Sequence, residues 1–367
     1  MTIDVHGHIS PPESLRRFPM PPSLGDVTGM IERKLALGVR MTIVGSPVGA
    51  GAMVPLPGVD NYAQSDDELR RFHDWIAATV AAHPAHLRGL VYANPFGDDR
   101  HLAGVADTYR GGEFVGLIVN TSVNGRYLND GRADAFFALA AEVGAPVVLH
   151  APAAPVAGTG LSDLRLLEQL GRFGDVTIGV ACCLLGGWLD RYPGLRLVAT
   201  GGGGGLALLT ERLDLIASMP HWRGAPRGGP PPTAGPPSPV AAPDAVAGLR
   251  RRPSAYLEHV WFDTATPSRA GLAANLAAFG GRRLMFGTDS PPLLDVVEPG
   301  LAAIDALPVD EATRDDIRWG NAARLFGLAA PDARVDAGRP ASAAPTPVGA
   351  PDHRRANGAA ATREEYP

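Results

Sequence analysis

His6 and His8 stand two residues apart at the end of the first apolar run of the chain, Thr2-Ile3-Asp4-Val5. On an extended backbone, side chains at i and i+2 point to the same side. Two imidazoles so placed can each offer a neutral ring nitrogen to one metal ion. A strand-end pair of surface histidines would read the same way, so the pair needs company. It has two further residues where strands should end: His150 closing Pro146-Val147-Val148-Leu149-His150, and Asp289 within Phe286-Gly287-Thr288-Asp289-Ser290. Three imidazoles and a carboxylate suit one divalent ion, zinc ahead of manganese or iron, with a position left for water. The structural alternatives are a satisfied core histidine for His150 and a helix cap before Pro291 for Asp289.

The elements that must position these residues are short apolar runs alternating with helical stretches. Strands are expected at Thr2–His6, Met41–Val44, Leu87–Tyr92, Phe114–Asn120, Pro146–His150, Leu195–Ala199, Val260–Asp263 and Arg283–Gly287. Helical spacing marks 66–83, 130–143, 176–191, 270–279 and 310–326. Eight strands alternating with helices point to a parallel α/β structure, and a (β/α)8 TIM barrel over residues 1–329 accommodates all eight. An open nucleotide-binding sheet would want a Gly-rich turn after the first strand, which Gly7 alone does not supply. In a barrel, functional residues collect at the C-terminal strand ends, where all four candidates fall.

Composition bounds the rest. The 367 residues are 45% hydrophobic and 19% charged, enough for a large core, and the formal net charge of −5 gives no reason to expect nucleic acid or an acidic membrane. No 18-residue apolar run is present, and Asp4, His6 and His8 interrupt the start before any signal-peptide core, so a cytoplasmic protein is expected. The adjacent Cys182-Cys183 read as helix core positions rather than a disulfide. The Pro- and Gly-rich stretch 223–244 reads as a mobile loop insertion between the sixth and seventh strands, and 330–367 as a disordered tail.

Several motifs in order resemble the amidohydrolase-2 family, in particular its branch containing 2-amino-3-carboxymuconate-6-semialdehyde decarboxylase. They are Ile3-Asp4-Val5-His6-Gly7-His8-Ile9 with Pro11, Val148-Leu149-His150-Ala151-Pro152, Tyr192-Pro193-Gly194-Leu195-Arg196, Gly287-Thr288-Asp289-Ser290-Pro291 with Glu298-Pro299-Gly300, and Asn321–Leu328. The resemblance covers residues 1 to about 328 and implies the same four metal ligands, His6, His8, His150 and Asp289. It also implies a histidine ahead of the glycine run after the sixth strand, positioning or deprotonating a water. Here that place holds Thr200, in Thr200-Gly201-Gly202-Gly203. A threonine hydroxyl can orient a water but is no general base near neutral pH, and such assistance is typically worth ~10²–10⁴ in rate. Asp263, His221 and His259 are weighed to replace it; His259 begins strand seven, at the wrong end of the barrel, and His221 would need a folded-back loop. The resemblance further implies a homodimer and a substrate-carboxylate arginine shortly after the glycine run, where Arg212 stands.

The expected function is therefore a metal-dependent decarboxylase or C–C lyase on a small unsaturated or aromatic carboxylic acid, with Asp289 and Thr200 as catalytic residues and Arg212 binding substrate. The alternatives are a metal-dependent hydrolase or hydratase, and a catalytically reduced barrel acting as a binding or accessory protein.

Overall fold

The computed structural model describes residues 1–218, 249–266 and 268–329. Eight strands pair in sequence order, each parallel to the next: β1 (Thr2–His8), β2 (Val39–Gly45), β3 (Leu87–Tyr92), β4 (Phe114–Asn120), β5 (Val147–His150), β6 (Leu197–Ala199), β7 (Val260–Asp263) and β8 (Leu284–Met285). Parallel neighbours need a crossover, and helices supply them: α1 (Val27–Ala36), α2 (Asp66–Ala82), α3 (Asp99–Arg110), α4 (Asp134–Glu142), α5 (Arg172–Leu185), α6 (Leu206–Ser218), α7 (Arg269–Phe279) and the terminal α8 (Asn321–Phe326). The sheet closes where β8 meets β1, through Val5 N to Phe286 O at 2.9 Å and a single parallel bridge between Gly7 and Ser290. This is the (β/α)8 barrel.

Local chemistry explains the element boundaries. Ser65 and Glu68 form a reciprocal capping box at the start of α2, whose Leu69, Phe72, Ile76 and Val80 face the core. The single helix expected over 176–191 is instead α5 plus a separate short turn, Trp188–Arg191. Gly187 between them adopts a left-handed conformation (φ 79°), which ends the first helix and redirects the chain. Cys183 is buried in α5 and Cys182 half-buried, and both are free thiols. On β1, a Cβ on Gly7 would lie 2.3 Å from the Thr42 methyl, so glycine there sets how closely β1 approaches β2. The expected loop 223–244, His221 and the expected tail 330–367 lie outside the described residues.

Candidate metal centre

β1 does not alternate evenly. Its register against β2 slips between Asp4 and Gly7, and the Asp4 carboxylate accepts a hydrogen bond from the His6 backbone at 3.0 Å. Asp4 is engaged by groups outside the set of four candidate ligands. Its oxygens take Lys34 Nζ at 2.6 Å, Thr288 Oγ1 at 2.6 Å and Thr288 N at 3.1 Å. Asp4 and Lys34 are both buried, so this is an internal ion pair tying α1 and the β8 loop to β1. Past the slip, His6 and His8 both face the centre.

Each imidazole is then fixed from behind. His6 Nδ1 lies 2.6 Å from Asp263 Oδ2, His8 Nδ1 3.1 Å from Gly45 O, and His150 Nδ1 2.7 Å from Ala151 O. With every Nδ1 bound to an oxygen acceptor, the tautomer is set and Nε2 is the atom left for the centre. The rings stand nearly perpendicular to one another, with centroids 4.9, 5.0 and 5.1 Å apart. His6 Nε2 is 3.1 Å from His8 Nε2, and Asp289 Oδ1 is 2.8 Å from His8 Nε2 and 3.5 Å from His6 Nε2. One ligand atom from each of the four residues falls within 4.8 Å of all the others.

This donor set fits a divalent ion. Ligands at ~2.1 Å in a tetrahedron stand ~3.4 Å apart, and adjacent octahedral ligands about 3 Å apart, so the spacing admits zinc and manganese alike. The electrostatics agree. Burial drives His150 well below its usual pKa, and His6, His8 and Arg172 lower it further, which leaves its nitrogen lone pair unprotonated. Burial also acts to lower His6, but Asp289, Asp263 and Asp4 outweigh it and raise the pKa to about 9. Burial would raise Asp289, yet His6, His8 and His150 hold it below the ordinary carboxylate range. Anionic oxygens around a converging set of imidazoles make a cation-attracting pocket. Asp289 itself sits at φ 60°, a left-handed backbone rarely taken by a non-glycine residue, with its N–H on His6 O at 2.9 Å.

A second side of the mouth is built from β6 and β7. Thr200 is buried, and its hydroxyl donates to Leu149 O at 3.0 Å. Asp263, weighed from sequence as a substitute base, is fully engaged. Oδ2 meets His6, while Oδ1 accepts from Gly202 N at 2.8 Å and Ala265 N at 3.1 Å. Gly201 to Gly204 all have positive φ, and a Cβ on Gly202 would lie 2.5 Å from Asn275 Nδ2. The glycine run is thus a backbone latch that delivers an N–H to Asp263. His259 precedes β7, at the end of the barrel away from the centre, and lies 3.5 Å from Glu258. Arg212, expected from the resemblance to bind substrate, makes no contact with the four ligands among the hydrogen bonds and ion pairs of the described residues. It lies exposed on α6, six residues or about 9 Å along the helix from Leu206.

Sequence reasoning missed Lys34 and the positioning roles of Asp4 and Asp263. A signal for Lys34 existed: it falls on the same face of α1 as Met30 and Ile31, and a lysine on an apolar face wants a buried acid.

The amidohydrolase family model matches residues 3–328. The chain belongs to the amidohydrolase family. Among curated relatives, 2-amino-3-carboxymuconate-6-semialdehyde decarboxylase of Dictyostelium discoideum is 22% identical over 214 residues, 58% of this chain and 53% of the relative. The chain thus spans about half the length of that relative. Gamma-resorcylate decarboxylase of Polaromonas sp. is 26% identical over 295 residues, 74% of this chain and 81% of the relative. Among solved structures, 5-carboxyvanillate decarboxylase of Sphingomonas paucimobilis superposes with a TM-score of 0.68 at 22% identity, covering 89% of this chain and 99% of that one. A dihydroxybenzoic acid decarboxylase of Polaromonas sp. with bound manganese and 2-nitroresorcinol gives 0.66 at 19% identity, covering 89% and 97%. These likenesses place the amidohydrolase barrel; the ligand chemistry rests on the four side chains described above.

Proposed function

We propose that the protein is a metal-dependent decarboxylase or C–C lyase acting on a small unsaturated or aromatic carboxylic acid. One observation carries the reading: three imidazoles with their Nδ1 atoms bound from behind turn their Nε2 atoms, together with Asp289, onto one point at the strand ends. In this reading His6, His8, His150 and Asp289 hold one divalent ion, zinc or manganese. When bound, such an ion would supply Lewis acidity toward an oxygen of the substrate.

The remaining chemistry falls to the chain. Decarboxylation breaks a C–C bond, releases carbon dioxide and requires a proton at the carbon left behind. Asp289, a carboxylate anion in this site, could relay that proton once it has taken one from a bound water or a substrate hydroxyl. Its Oδ1 is drawn to His8 and His6, the side chain is 36% exposed, and Oδ2 makes no hydrogen bond among the described residues. Thr200 acts as an acceptor. Its proton is committed to Leu149 O, so its lone pairs can fix the hydrogen of a nearby water or substrate hydroxyl.

The β6 wall supplies no base of its own, since neither Thr200 nor the fully engaged Asp263 can deprotonate a nucleophilic water, and hydrolysis or hydration would have to rely on Asp289. The test is metal analysis of purified protein supplemented with zinc and manganese, followed by turnover of a panel of aromatic and unsaturated carboxylates. About one equivalent of metal and carbon dioxide release without net water addition is expected. Less than half an equivalent sinks the metal reading. A full equivalent with no turnover of any panel member supports a binding or accessory role, and water incorporation supports a hydrolase or hydratase.

A further inference from the structure

The starts of the strands, at the end of the barrel away from the metal centre, carry a second group of charged side chains. Arg196 immediately precedes β6, Trp261 is the second residue of β7, and Arg282 and Arg283 immediately precede β8. Because β6, β7 and β8 are neighbours in the sheet, these residues meet at one place. Arg324 of α8 and Asp316, just ahead of α8, join them in lining a cavity of about 480 Å³. Four guanidinium groups therefore share one cleft with a single carboxylate, in a chain whose formal net charge is −5.

The four cations are not equivalent. Arg196 is committed to the scaffold, donating to Leu325 O at 3.1 Å and to Gly144 O. Arg324 is held by Asp316 at 2.9 Å and by Asn321 Oδ1 at 2.6 Å. Neither Arg282 nor Arg283 makes a side-chain hydrogen bond or ion pair among the described residues. Arg283 lies over the face of Trp261, 4.4 Å from the ring centroid, which fixes the guanidinium without supplying an anion. Burial holds Arg283 below its ordinary pKa, and Glu258, already paired with Arg251, only partly offsets that. A partly buried cation without a carboxylate is short of a partner.

The charge and the geometry say what would complete the cleft. A monocarboxylate is planar, meets one guanidinium fork and cancels one charge of the excess. A tetrahedral dianion presents oxygens in several directions, so it can take N–H donors from Arg282 and Arg283 together. We propose that the cleft at the starts of β6, β7 and β8 binds a phosphate dianion, free or carried on a small ester, through Arg282 and Arg283. The site lies at the other end of the strands from His6, His8, His150 and Asp289, and it does not rest on the metal reading.

The experiment is isothermal titration calorimetry of the full-length protein at about pH 7.5 and constant ionic strength. Inorganic phosphate, phenyl phosphate and malonate are the separate probes. At least one of the two phosphates is expected to bind with a Kd of about 1 mM or tighter, and malonate at least about tenfold more weakly. Arg282→Ala should weaken phosphate binding roughly tenfold, and Arg283→Lys, which keeps the charge but loses the fork, about threefold or more. Arg282→Glu with Arg283→Glu should abolish detectable binding, with circular dichroism and bound metal as in the wild type. Tighter binding of phenyl phosphate assigns the site to an ester, and equal or tighter binding of inorganic phosphate assigns it to the free ion. No binding of either phosphate up to about 10 mM overturns the proposal. So does malonate binding as tightly as phosphate, or phosphate affinity unchanged in the double variant. Unchanged affinity in Arg282→Ala overturns it too, whether or not the double variant folds.

Discussion

The β1 and β6 ends of the barrel open onto the same mouth and are built in opposite ways. At the β1 end, polar side chains point inward and are held from outside: Asp263 and Gly45 O grip the imidazoles, and Lys34 and Thr288 grip Asp4 beneath them. At the β6 end, polar groups are turned into the scaffold. The Thr200 hydroxyl donates to Leu149 O, and the glycine run directs an N–H at Asp263. One wall presents ligands and the other supplies their support. The difference teaches that the strand-six side was not merely stripped of a base. It works for the other wall, because Asp263 joins Gly202 of the β6 loop to His6 of β1.

The contrast can be broken most directly at its active side. His6→Ala with His8→Ala should reduce bound metal from about one equivalent to under a tenth, read by elemental analysis, with the fold kept. A full equivalent in that variant would place the ion elsewhere. Next in size is the support beneath the histidines. Lys34→Met leaves the Asp4 charge buried without its partner, and the expected loss is ~3–5 kcal/mol in urea unfolding. Pairing it with Asp4→Asn should recover most of that, and no recovery would mean that packing rather than charge was lost.

The coupling between the walls is tested by Asp263→Asn. It should weaken metal affinity ~10–100-fold, measured by chelator competition, while the barrel stays folded. The smallest effect is expected at Thr200→Val. Removal of one hydroxyl bonded to backbone should cost about 1 kcal/mol of stability and change metal affinity less than threefold. If Thr200→Val weakened metal binding as much as Asp263→Asn, the division between presenting and supporting walls would fail.

How much of this could be read beforehand follows the same division. His6, His8, His150 and Asp289 were legible because strand ends are predictable from apolar runs, and a barrel gathers those ends at one face. The period-two argument for His6 and His8 held for a reason it did not contain. Asp4, at i−2 of His6, is taken up instead by Lys34 and Thr288, and the strand's register slips just after it. Lys34 and Asp263 were not legible in their roles because each acts on a partner far along the chain, 30 positions away for Asp4 and 257 for His6. Arg212 was placed by its distance from the glycine run. Sequence distance does not say which side of a helix a residue occupies, and Arg212 stands on an exposed side of α6. The strand count and order were fully legible. The break of α5 at Gly187 was not, because a glycine tolerated inside a helix and one that ends it look alike in sequence.

The narrow seam between β8 and β1 sets a timetable for the newly made chain. β1 leaves the ribosome before the other seven strands of the barrel, and the residues that close onto it, Phe286 and Ser290, come some 280 positions later. At ~5–20 residues per second, the opening strand waits roughly 15–60 s with one edge unpaired. Through that interval Thr2–His8 offers its open backbone edge to any neighbouring nascent chain. The centre, which needs residues 6 and 289 together, is among the last parts of the molecule to exist.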